Sequence, residues 1–165
     1  MRPALENQPI PENEPTLRPP TLRPIAQIAK HPIHPMLIPV PMVCFVGALV
    51  TDIAYARTAE MMWANFSSWL LLVGIVFGVL AAIAGLIDFL GNRLIRQQAP
   101  AWPHLIGNLV VLVLAFFNNM IHTRDAWTSV MPAGLILSIL TVLIMSVTAW
   151  FGREMVFRYG VGVAR

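Results

Sequence analysis

The chain has one cysteine in 165 residues, only 12% charged side chains, and no Lys or Arg inside any of its long apolar runs. A single thiol, Cys44, excludes an internal disulfide, a cysteine-ligated iron–sulfur cluster and a Cys-rich metal site. No G-x-S-x-G nucleophile elbow occurs and no base lies near the cysteine in sequence, so the machinery of a hydrolytic enzyme is missing. The chain therefore reads as more non-catalytic than enzymatic. Missing too is a compact basic patch with interleaved aromatics, which removes nucleic acid from the partners despite a net charge of +3. No charged n-region precedes a short apolar h-region, so the N-terminus does not read as a cleavable signal peptide, and the first apolar helix is expected to be its own targeting signal.

What is present is apolar: 57% of the residues are hydrophobic, more than one small soluble core can hide. Four runs, about 36–56, 66–90, 104–122 and 130–152, approach or exceed the roughly 20 apolar residues that cross a hydrocarbon layer. They lack period-2 alternation, and an open sheet would leave backbone groups unpaired in lipid. The expected fold is all-α: a polytopic membrane protein, a four-helix up-and-down transmembrane bundle. Arg2, Arg18, Arg23, Lys30, Arg93, Arg96, Arg153, Arg158 and Arg165 fall on one side of it, Arg57 and Arg124 on the other. The positive-inside rule then puts both termini in the cytoplasm, with the chain a multi-pass protein of a bacterial inner membrane.

Residues 1–30 carry seven prolines and a doubled TLRP, which suits an extended cytoplasmic arm: a solvated tail, or a docking arm for a neighbouring subunit. Residues 31–165 form the membrane domain. HPMLI at His34 and PHLI at Pro103 open the first and third helices alike, a match too short to establish a repeat.

Within the second helix, Gly74, Gly78, Ala81, Gly85, Asp88 and Asn92 recur every three or four residues and share one face. Gly74 and Gly78 make a GxxxG, so this face, with Gly85, is expected to be a helix interface. His104, Asn108, Val111, Ala115, Asn118 or Asn119, and His122 form a second stripe; Gly134, Ser138, Thr141, Met145, Thr148 and Gly152 form a third. The ionisable residues then sort into two layers. His31, His34, Asp88 and His104 lie near one leaflet, and Asp52 and His122 near the other. Eighteen residues separate His104 from His122, roughly 27 Å of helix, so the layers cannot serve one site.

In HPIHP, each histidine precedes a proline and is expected to be extended, with Pro35 at the first helical position. His34 and His104 could hold a haem b iron axially, and His31, His34, Asp88 and His104 a divalent metal. A hydrogen-bonded structural cluster with Asp88 explains the same residues without a ligand. The Asp52/His122 layer reads as an interfacial ion pair.

HPIHPMLIPVPMVCFVGALVTD, GLIDFL, PHLIGNLV and GREMVFRYGVGV together resemble the DUF2231 family of bacterial membrane proteins, over about Lys30 to Val163. The resemblance implies four membrane helices and a redox leaning, since some members are fused to Rieske-type domains. By position it singles out His31, His34, Asp88, His104 and Gly160 to Val163. Arg153 and Tyr159 stand where the family pattern has other residues, a histidine among them. Two functions compete. One is a non-catalytic accessory or assembly subunit of a respiratory or redox-linked complex, meeting lipid and other membrane subunits through the arm and the Gly-rich face. The other is a small haem-, metal- or quinone-binding membrane redox protein.

Overall fold

A computed structural model describes residues 22–123 and 130–162. Most of the Pro-rich arm, the cations Arg2, Arg18, Arg124 and Arg165, and the end of the GVGV tail lie outside the described residues. Four helices long and apolar enough to cross a membrane make up the body: Ile33–Thr58, Met61–Gly91, Ala101–His122 and Val130–Phe157, numbered here as spans 1 to 4. The chain is an all-α polytopic membrane protein.

Span 1 begins earlier than the proline argument predicts. Pro32 is the extended residue before the helix, and Ile33–Leu37 is already helical, so His34 is helical and only His31 is extended. Pro35 is tolerated because first-turn amides have no intrahelical acceptor to lose. The helix resumes at Pro39 after Ile38, which keeps helical angles. Its far end stops at Ala59, whose left-handed φ of 57° lets its N–H reach Tyr55 O. Span 2 starts two residues later at Met61 and not at Phe66, because the turn is that short. Such a connection leaves spans 1 and 2 no option but antiparallel packing. Span 4 opens through a bend at Met131 (φ −112°, ψ 130°), the extended geometry that a following Pro132 demands.

Each span packs on the next, and span 4 returns to span 1, so spans 1 and 3 face each other across the bundle. Phe45, Ala48, Leu71, Val111, Ala115 and Met145 form the core. Outward positions such as Val43, Trp69 and Leu109 are exposed, as lipid-facing side chains are. The second-helix face packs inside the chain: a Cβ on Gly74 would lie 2.6 Å from Phe45 Cε1, on Gly78 2.8 Å from Leu112, and on Gly85 2.9 Å from the His34 ring.

Burial repeats between the two hairpins. Pro41, Phe45, Ala48 and Asp52 in span 1 stand in the same register as Val111, Ala115, Asn118 and His122 in span 3. Ser67, Leu71, Gly74, Gly78 and Ala81 in span 2 do the same against Gly134, Ser138, Thr141, Met145 and Thr148. The bundle is thus two hairpins of one design facing each other. This is a stronger repeat than the two short sequence matches suggest, because it is written in burial and not in residue identity.

At one end, the chain before span 1 is tied down. A small antiparallel pair, Gln27–Ile28 with His31–Pro32, turns through Ala29 and Lys30, both at positive φ. Asp88 Oδ1 accepts from the backbone N–H groups of Ile25 (2.6 Å) and Ala26 (2.7 Å). This latch marks one end of the bundle.

Gly74→Val is expected to cost about 1–3 kcal/mol by overpacking against Phe45. Thermal unfolding in detergent should show a lowered midpoint for this variant, and an unchanged one for Val43→Ala on the outer face.

Candidate functional site

The latch-end layer is built from spans 1 and 3, whose histidines meet across the bundle. His34 Nδ1 lies 2.7 Å from Ala81 O on span 2, and His104 Nδ1 lies 2.9 Å from Thr148 O on span 4. A carbonyl only accepts, so Nδ1 carries the proton in both rings. In a neutral imidazole the lone pair is then on Nε2. The carbonyls are free to take this second bond because each has a spare lone pair beyond its helical one.

Both rings sit on a glycine four residues beyond the carbonyl that holds them. A Cβ on Gly85 would come within 2.9 Å of His34 Nδ1, and one on Gly152 within 2.9 Å of His104 Cε1. The hairpins therefore repeat a whole device: histidine on the first helix, carbonyl and glycine on the second. The ring centroids are 6.0 Å apart and the planes are turned 85° to each other. The two halves differ in one respect. Asn108 Nδ2 donates to His104 O at 2.8 Å and lies 3.2 Å from His104 Nε2. Its counterpart in span 1 is Ile38, which has nothing to donate.

Below the rings runs an apolar cavity of about 70 Å³, lined from all four spans, among others by His34, Pro41, Phe45, Gly78, His104 and Met145.

The other two residues of the inner set are engaged elsewhere. Asp88 serves the arm amides. His31 is exposed and borders a separate surface hollow with Pro32, Pro35 and Met36, since the helical turn at Ile33 to Leu37 carries His34 away from it. Among the described residues, no three His, Cys, Asp or Glu side chains meet as a group that could hold a metal.

The far layer is more than an ion pair at a surface. Asp52 is wholly buried and touches three other spans. Its Oδ1 accepts from Ser67 Oγ on span 2 and faces His122 Nε2 at 3.0 Å; its Oδ2 accepts from Ser138 Oγ at 2.5 Å. His122 Nδ1 donates to Asn118 O at 2.9 Å, and Asn118 Nδ2 donates to Ser138 Oγ at 2.7 Å. Among the described residues, Asn118 Oδ1 has no hydrogen-bond partner. Ser67 escaped the sequence reading because the stripe was counted from Gly74; continuing the same spacing backwards through Leu71 reaches it.

The fold and its paired layers define a helical polytopic membrane protein with polar centres inside the bundle. The chain belongs to the DUF2231 family, described as predicted membrane protein, whose pattern it matches over residues 30–165. No curated protein and no solved structure matches it.

Removing the Asp52 carboxylate strands Ser67, Ser138 and His122 in a dry interior. Asp52→Ala should cost about 3–5 kcal/mol, read as a large fall in thermal midpoint, whereas Glu60→Ala at the exposed turn should leave the midpoint in place.

Proposed function

We propose that this protein is a small membrane redox protein whose His34 and His104 side chains hold a haem iron from opposite sides. The observation that carries the reading is the pair of imidazoles fixed through Nδ1 by backbone carbonyls, which leaves Nε2 of each ring as the atom for a ligand, with Asn108 the partner that His104 Nε2 already has. A bare transition-metal ion ordinarily takes three or more protein donors, and only two are offered here. A haem iron can be held by two imidazoles alone, and the rings of His34 and His104 lie with their centroids 6.0 Å apart.

The remaining parts fit the same reading. The carbonyls of Ala81 and Thr148 orient the rings, as outer hydrogen bonds do for metal-bound histidines. Gly85 and Gly152 give the rings room. The cavity beneath is apolar and, at about 70 Å³, smaller than the roughly 300–1,000 Å³ that drug-sized ligands occupy, so a haem would fit only if the two hairpins moved apart. Asn108 would have to release His104 Nε2. A haem held by His34 and His104 would supply one-electron transfer.

We infer further that the latch end faces the cytoplasm of a bacterial cell, because the described cations concentrate there. The accessory-subunit reading rests on a separate observation, the arm end held to Asp88, and is compatible with a cofactor. It adds a partner at the arm, which co-purification in fixed ratio would reveal.

The test is the absorption spectrum of the detergent-purified chain, produced with haem in supply. A Soret band that sharpens and shifts on reduction is expected, lost in His34→Ala and in His104→Ala and retained in His31→Ala. A colourless wild-type chain, or a band indifferent to both inner histidines, overturns the assignment.

A further inference from the structure

Six cationic side chains among the described residues gather at the latch end: Arg23, Lys30, Arg93, Arg96, Arg153 and Arg158. They come from three stretches far apart in sequence, the arm, the connection between spans 2 and 3, and the end of span 4. Hydrogen bonds make one surface of them. Asp88 binds the arm at Ile25 and Ala26; Asn92 Nδ2 donates to Arg23 O at 3.1 Å; and Gly162 N donates to Leu22 O at 3.1 Å. The segments that carry these cations are thus tied together at one end of the bundle by hydrogen bonds that do not use the cations' charges.

Little at this end neutralises them. Of the described acids there, Asp88 is buried and spent on amides, and Glu154 lies 3.9 Å from Arg158 alone. At the opposite end the exposed described charges are one of each sign, Arg57 and Glu60, with Asp52 buried inside the bundle. The depth of the patch is set by aromatics. Arg153 lies over the exposed rings of Trp150 (5.2 Å) and Phe157 (5.7 Å), and Trp102, also exposed, packs on Phe89. Exposed tryptophans at the end of an apolar span sit at the level of lipid head groups. Guanidinium groups at that level face phosphate, the anion whose oxygens their paired N–H groups match.

We propose that this surface binds an anionic phospholipid of the adjoining leaflet, its phosphate held by the arginines of the latch end. The lipid then secures the arm, the loop and the tail against one another in the way that Asp88 and Asn92 do from within. This inference does not rest on the imidazole pair and survives a haem-free protein.

The experiment is thermal unfolding of the full chain in vesicles of phosphatidylcholine, and in vesicles of which about a third is phosphatidylglycerol. The expected result is a midpoint about 4 °C or more higher in the anionic vesicles, shrinking at high salt. The rise should vanish in a variant carrying Arg93→Gln, Arg96→Gln, Arg153→Gln and Arg158→Gln, and persist in Arg57→Gln. Equal midpoints in the two vesicles, an undiminished rise in the fourfold variant, or the same rise from inorganic phosphate in phosphatidylcholine would each overturn the proposal. Should the variant not fold, native mass spectrometry of the wild-type chain from mixed micelles decides. Retention of phosphatidylglycerol over phosphatidylcholine supports the site, and equal retention of both refutes it.

Discussion

Four helices built to sit in hydrocarbon set the main constraint on this structure. In a hydrocarbon setting a polar group must find its partner within the chain, and each failure costs several kcal/mol. The hydrogen bond from an imidazole Nδ1 to a backbone carbonyl of the facing helix is the solution used twice, at His34 with Ala81 and at His104 with Thr148. It joins span 1 to span 2 and span 3 to span 4, and it fixes the direction of each ring. The glycines at 85 and 152 are consequences of this bond, since any larger residue would push the imidazole off its carbonyl.

The two polar layers use the same economy to different ends. Around Asp52 the carboxylate, two serines, Asn118 and His122 consume each other's hydrogen-bonding capacity almost completely, so that layer ties four helices together. Around His34 and His104 the Nδ1 atoms are held by backbone carbonyls, and Nε2 of His104 is met only by Asn108 among the described residues. The apolar core of Phe45, Leu71, Val111, Ala115 and Met145 lies between the layers.

Much of the fold was legible in the sequence, because membrane spans are long, uncharged and bounded by Pro, Gly or charge. The stripes of Gly74, Gly78 and Ala81, and of Ser138, Thr141 and Thr148, also pointed correctly inward. What could not be read depended on contacts distant in sequence. His34 precedes a proline and was expected outside the helix, yet tertiary packing against Gly85 and the bond to Ala81 place it in the first turn. Asp88 was grouped with the histidines by depth alone, whereas its partners are amides of the arm, which carry no side-chain signature. The equivalence of the two hairpins was nearly invisible, because the positions that match agree in burial and seldom in residue.

The central claim is that both inner histidines carry their proton on Nδ1 and present Nε2 unprotonated. Nitrogen-15 NMR of the chain labelled at histidine, in detergent and without added cofactor, reads the tautomer of each ring directly. The account predicts the Nδ1–H form for His34 and His104 together. An Nε2–H signal from either ring would contradict it, since that ring would have nothing to offer a metal.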